Sequence, residues 1–352
     1  PPVIGYGRLY LGTNHGRVLA VAAATGRVLW HRQLGRCIAA SPALAGGVVY
    51  VALMNALPCA DPEWSSPGYL QALDARTGRP LWRFRAGVTE SSPLVVGRLV
   101  YFGSWDGRIY AVDVRTHRPR WTYATGGEVK GGVAFSQGTV YAGSYDGHVY
   151  ALDARTGKAR WTGAAERGLT GRGSFYATPT VAYGRVFVGA TDGVVYAFGA
   201  RSGRLLWARR TGSFVYAAAA VARGIVYVGS YDHRFYALDA ATGDIRWTFD
   251  ARHPISGAPT VLGGLVYFST CGSCSSYESD ARARRTFALD ARTGRLVWTF
   301  PDGEYSPLVA DSTRAYLTGF TDVYGLEPVA ARRGGPSGRP RLAPGTALSS
   351  RS

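Results

Sequence analysis

Five side chains occupy matching places along the chain and have the types a binding or proton-transfer centre needs: Glu90, Lys130, Tyr176, Tyr216 and Glu304. Each stands three residues ahead of a proline or its equivalent; Ala39 and Ser256 fill the same place elsewhere. Carboxylates, an ammonium and phenols together could hold a small polar ligand or a peptide segment through charge-assisted hydrogen bonds. They do not assemble a calcium site, which takes about six to eight oxygens. The residue before each of them is mainly apolar (Ile38, Thr89, Val129, Phe175, Val215, Ile255), so alternation puts the polar set on one face. Glu90 and Lys130 are expected to form an ion pair, and Tyr176 and Tyr216 an adjacent phenol pair.

The cysteines offer a second chemistry. Cys271 and Cys274 have the spacing of a redox or half-zinc motif. Zinc needs a full tetrahedral ligand set, and no second Cys-x-x-Cys or paired-His motif exists to complete it. A thioredoxin-like role would need a helix N-terminus to lower the thiol pKa. A local disulfide is therefore expected, with a second one between Cys37 and Cys59. An even count paired in this way points to an oxidising compartment. No Ser-His-Asp arrangement, phosphate-cradling loop or metal-ligand cluster stands out.

What positions these residues is a repeat. Seven of the nine tryptophans, Trp30, Trp82, Trp121, Trp161, Trp207, Trp247 and Trp298, fall at spacings of 52, 39, 40, 46, 40 and 51 residues. One copy leads from Ser92-Pro93 through an alternating run at Leu99–Gly103, an Asp106-Gly107 turn, and Arg108–Asp113 to Trp121. Alternation broken by Asp-Gly turns is a hairpin signal, so each copy is four short antiparallel strands. The acids Asp74, Asp113, Asp153, Asp239 and Asp290 each precede a tryptophan by eight residues and mostly open an Asp-x-x-Thr-Gly. They are expected to cap their own turns rather than to react. One aromatic column, Tyr10 to Tyr316, and another, Tyr110 to Tyr324, are expected to pack between sheets.

A four-stranded sheet leaves two faces to cover, so copies must stack and close radially. The aromatic column counts eight copies. The fold predicted is all-β: an eight-bladed β-propeller of four-stranded antiparallel blades over residues 1–328. Its last blade would lack an outer strand, supplied from upstream of Pro1. Residues 329–352, rich in Gly, Pro and Arg, are expected to be a disordered basic tail.

The pattern Tyr-x-Gly-Ser-x-Asp-Gly-x-x-Tyr-Ala-Leu-Asp-Ala-x-Thr-Gly-x-x-x-Trp, complete at 141–161, resembles the pyrroloquinoline quinone (PQQ)-type propeller repeat. The resemblance runs from residue 2 to about 328. Within that family, quinoprotein dehydrogenases hold PQQ and calcium over the channel mouth. Shorter eight-bladed relatives, such as the propeller lipoprotein of outer-membrane protein assembly, carry no cofactor and act as scaffolds. This chain is shorter than the enzymes usually are, lacks their adjacent Cys-Cys pair, and offers no counterpart of their calcium-binding and catalytic acids. The resemblance implies a scaffold without PQQ or calcium. The competing expectations are a PQQ-dependent oxidoreductase or its degenerate relative, and the ligand-sensing outer domain of a membrane signalling protein.

Function is expected where copies differ. Residues 53–68, with Cys59 and Trp64, interrupt blade two between its second and third strands. Residues 271–285, with Tyr277, replace the usual turn in blade seven, and 162–174, with Arg172, form a third loop. Trp64, Tyr277 and Arg172 are the partner-contact candidates. The net charge of +17 comes almost wholly from arginine, Lys130 and Lys158 being the two lysines. The arginines scatter through turns without the stripe that a nucleic-acid groove requires, so no specific nucleic-acid partner is expected. No apolar run reaches the roughly 18 residues of a membrane helix. The chain starts at Pro1 without an initiator Met, which leaves a signal or membrane anchor to be expected upstream. The expectation is a monomeric extracytoplasmic protein, anchored or secreted, with a protein partner in the cell envelope.

Overall fold

A computed structural model describes residues 1–57, 67–168, 171–272, 274, 283–303, 305, 308–328 and 342–349. Eight four-stranded antiparallel sheets follow one another along it. Blade three shows the plan: a three-residue first strand at Leu94–Val96, then Leu99–Ser104, Arg108–Asp113 and Pro119–Ala124. Neighbouring first strands lie against one another, and that of blade eight meets that of blade one, so the ring closes.

The core is divided among the seams between blades. Among the described residues each seam holds one main hydrophobic cluster, and a small ninth around Cys37, Met54 and Val88 adds to that between blades two and three; the closing one sets Leu9, Leu19 and Val21 of blade one against Tyr316 of blade eight. Middle strands are buried on both faces, as in Val49–Leu53 and Val195–Phe198, while fourth strands are half open to solvent. This distribution is what a sheet that cannot bury itself requires.

The repeated letters make the seams. On the outer strand the indole N–H donates to a carbonyl in the next blade: Trp30 to Ala75, Trp121 to Ala154, Trp161 to Ala200, Trp207 to Ala240. That carbonyl belongs to the Asp-Ala-x-Thr-Gly turn, or in blade five to its equivalent at 199–203. The tyrosine column reaches the same atoms, Tyr101 to Ala154 and Tyr141 to Ala200. A β-bulge shifts register opposite the Ala of Tyr-Ala-Leu-Asp, for example between Ala151 and Leu152, just before the Trp. Such a bulge re-aims the side chain that follows. The turn aspartates cap their own turns as expected: Asp74 Oδ1 accepts the N–H of Arg76 and of Thr77 and the Thr77 hydroxyl. In the second column, Tyr110, Tyr150 and Tyr196 donate to the Asp-Gly aspartates Asp106, Asp146 and Asp192, and Tyr236 to Asp232, which His233 follows.

Blade eight carries its three repeat strands, Leu308–Ala310, Ala315–Thr318 and Asp322–Pro328. Leu342–Ser349, inside the segment expected to be a disordered tail, runs antiparallel beside Asp322–Pro328 at the outer edge. The physical reason is that a three-stranded edge exposes a row of unpaired N–H and C=O groups, which nearby chain can satisfy. That part of the tail is strand. Residues 329–341 and 350–352 lie outside the described residues.

Candidate functional site at the channel mouth

Strands alternate in direction, so each blade has two distinct ends. At one, the turn between strands two and three meets the chain leaving strand four: the N–H of Thr125 bonds Gly107 O, that of Ala165 bonds Gly147 O. This mouth end carries Glu90, Lys130, Tyr176 and Tyr216. The strand ends that all three departures from the repeat connect are also here, because 53–68 and 271–285 join second to third strands and 162–174 joins blade four to blade five. At the other, the first turn meets the Asp-x-x-Thr-Gly turn, as where Ala154 N–H bonds Gly138 O.

The apolar half of the alternation is as expected: Ile38, Val129, Phe175, Val215 and Ile255 are buried, and so is Thr89. Each apolar side chain lies on the glycine that ends the second strand of the blade before it, such as Val129 on Gly103 and Val215 on Gly189. This fixes the polar partner toward the central opening. There Tyr176 Oη donates to Glu90 Oε1 at 2.5 Å, joining blade five to blade three past blade four. Tyr176 and Tyr216 form the expected phenol pair, edge to face with centroids 5.0 Å apart.

The expected Glu90–Lys130 ion pair gives way to another arrangement. Lys130 Nζ stands 3.6 Å from Glu128 Oε2, over the Trp105 ring at 3.8 Å and the Tyr145 ring at 4.5 Å. Two ring faces and a carboxylate two residues away win over a more distant, buried acid. Burial pushes the Glu90 carboxyl above its ordinary value, although Tyr176, Lys130 and Trp105 all favour its ionised form. Burial and the Glu90 charge together push the Tyr176 phenol far up.

Sequence reasoning missed Trp105, Tyr145, Tyr231, Glu128 and Phe214. Tyr216 stands edge to face with Tyr231 at 5.0 Å and lies 5.5 Å from Phe214, and Tyr231 Oη bonds Ser256 Oγ. Trp105 and Tyr145 are the x of Gly-Ser-x-Asp-Gly, and Tyr231 holds the same place in 229–233. The signal was there: a repeat position that is Trp105, Tyr145 and Tyr231 in three copies is aromatic without need. The result is an arc of rings around half of the opening, with one ammonium embedded and one carboxylate held by a phenol.

Glu304, Cys59, Trp64 and Tyr277 lie outside the described residues. Arg172 lies in a two-residue strand, Gly171–Arg172, pairing Arg167–Gly168 in the third loop. Cys271 and Cys274 form the expected disulfide, and Cys37 is buried and disulfide-bonded. Among the described residues no three His, Cys, Asp or Glu side chains gather as metal ligands. Glu128 stands beside the Lys130 ammonium and Glu90 is held by the Tyr176 phenol, so the two carboxylates do not share a cation. Among the described residues the mouth's donor set does not assemble a calcium site.

A pH effect follows at Glu90. Its folded carboxyl holds a proton more tightly than the unfolded one, so this group's contribution to stability declines as pH rises from about 4.3 through the raised folded value. Glu90→Gln keeps an acceptor for Tyr176 and removes that decline. Urea midpoints measured across the acid range should fall with pH more steeply in the parent than in the variant. Equal slopes would place the charge in water.

A family model described as outer membrane protein assembly factor BamB matches residues 1–130, 105–218 and 194–324. BamB of Yersinia pestis is 28% identical over 109 residues, which cover 28% of this chain and 25% of that protein. Quinohemoprotein alcohol dehydrogenase of Comamonas testosteroni is 34% identical over 84 residues, 22% of this chain and 11% of that one. These matches thus span a quarter or less of the relatives. The crystal structure of BamB from Moraxella catarrhalis superposes with a TM-score of 0.71 at 19% identity, covering 91% of this chain and 90% of that one, which shows the shared fold.

Proposed function

The chain belongs to the PQQ-repeat propeller family of the outer membrane protein assembly factor BamB, and on that premise we propose that it is a non-catalytic scaffold outside the cytoplasm. It binds a protein partner of the cell envelope at its mouth end, and it works without PQQ or calcium. One observation carries this reading. The polar groups at the mouth are spent on one another, Glu90 on Tyr176 and Lys130 on Trp105, Tyr145 and Glu128, which leaves ring faces as the surface on offer. Rings of tyrosine and tryptophan are what protein interfaces use as anchors. The three departures from the repeat leave the blades at the same end, where connecting loops carry recognition.

The competing reading, a PQQ-dependent oxidoreductase, draws on the dehydrogenase matches. Two measurements separate them. A photocrosslinking residue at Tyr216 should capture a protein from the native envelope, and one at Thr77, at the opposite end, should not. Calorimetric titration with calcium and PQQ should give no tight binding of the pair. Tight binding of both, or adducts equally from the two ends, would overturn the scaffold reading.

A further inference from the structure

The arginines look dispersed in the sequence because they recur once or twice per repeat. Ring closure gathers them. In the Asp-x-x-Thr-Gly turns and their equivalents at 199–203 and 113–117, the third residue is Arg76, Arg115, Arg155, Arg201 and Arg292 in five blades, and all five are exposed. The residue after the turn's glycine position is basic in most copies, as at Arg79, Arg118 and Lys158, and acidic in blade six, at Asp244. Blades meet end to matching end: Arg8 of blade one donates to the Ala75 and Arg76 carbonyls in blade two, and the Trp207 indole donates to Ala240 in the turn of blade six. Every such turn therefore faces the same side of the disc.

Basic side chains outnumber acids on that side. The turn aspartates accept their own backbone N–H groups, as Asp153 does from Arg155 and Thr156, and Asp113, Asp153 and Asp239 each also hold one arginine, Arg98, Arg160 and Arg246. The five turn guanidinium groups make no ion pair within 4 Å among the described residues, where the recorded pairs use Arg98, Arg160, Arg209 and Arg246. The mouth end carries further acids, Asp106, Asp146, Asp192, Asp232, Asp250, Glu90 and Glu128, beside fewer basic side chains. The turn end also exposes rings: Tyr6 is 64% and Tyr183 54% exposed, each with its hydroxyl accepting an N–H from the next first turn, Gly47 or Gly224.

We propose that the turn end is a docking surface for an anionic lipid bilayer. A circle of outward arginines on one face of a disc matches a plane of negative headgroups, whereas a nucleic-acid strand would need a stripe or groove. Half-exposed tyrosines among the arginines suit the interface, where amphipathic rings settle at headgroup level. The disc would lie flat on the membrane and present its mouth outward. This goes beyond the scaffold reading and does not depend on it.

Flotation of the full chain with vesicles tests it, using phosphatidylcholine alone and phosphatidylcholine with about one third phosphatidylglycerol. Partitioning onto the anionic vesicles should exceed that onto the neutral ones at least about tenfold and collapse in about 0.5 M salt. Replacing Arg76, Arg115, Arg155, Arg201 and Arg292 by Gln should lower it about a hundredfold or more. The same charge removed at the mouth end, from Arg85, Arg108, Arg210, Arg234 and Arg252, should leave it nearly unchanged. Hydrogen exchange of the unaltered protein on vesicles should show protection at 74–79 and 153–158 and none at 104–108. Equal losses in the two variants, protection at both ends, or duplex DNA competing as strongly as the vesicles would each overturn the proposal.

Discussion

Trp207→Ala is expected to destabilise the protein by about 3–5 kcal/mol, the range for truncating a buried tryptophan. Trp207 is 8% exposed, packs 5.8 Å from the Phe187 ring, and spends its indole N–H on Ala240 of the next blade. The cost thus falls on the seam between blades five and six. Trp298→Ala makes the contrast. Trp298 faces blade eight, which has no Asp-x-x-Thr-Gly turn to supply a carbonyl, and it borders a cavity of about 140 Å³ with Leu265, Tyr267 and Ala288. Less is lost where less was made, so about half the effect is expected there. Urea unfolding of both variants compares them directly. Equal losses would mean that the indole matters for its bulk alone.

The sequence carried the blades because their determinants are local. Alternation, Asp-Gly turns and capping aspartates act within about ten residues, and Asp74, Asp153 and Asp290 could be assigned to turns without knowing any neighbour. The apolar halves of the mouth segments were legible for the same reason. What stayed hidden depends on closure of the ring. Tyr176 and Glu90 are 86 residues apart and skip a blade, so adjacency in the repeat suggested the wrong acid for Lys130. Trp105, Tyr145 and Tyr231 sit in a position that tolerates Thr191 in another copy, and only the shared centre makes an arc of them. The arginines of the turns misled in the opposite sense: regular spacing along the chain looked like scatter, yet a closed ring converts a period into a patch. Where a copy departs, the structure shows the departure at work. His117 stands in the Thr-Gly glycine position of blade three at φ 58°, and its ring stacks on Trp82 at 4.8 Å, beside a cleft of about 430 Å³.

Two glycines with nearly the same backbone separate conformational need from packing need. Gly224, at φ 75°, ends the first turn of blade six, and a Cβ there would meet nothing within 4 Å. Gly243, at φ 76°, belongs to the Thr-Gly of the same blade, and a Cβ there would stand 2.7 Å from the Trp207 ring. Gly224→Ala should cost only the left-handed penalty of an L-residue, about 1–2 kcal/mol. Gly243→Ala adds an overpacked contact of about 1–3 kcal/mol, because the indole is pinned by its bond to Ala240 and cannot swing aside. Moreover, the extra cost should vanish when Trp207 is already alanine, while that of Gly224→Ala should persist. A double-mutant cycle in urea measures both couplings. The recurring Thr-Gly and Trp are then two halves of one joint, split between neighbouring blades, and a cycle with no coupling at Gly243 would show that the turn alone demands the glycine.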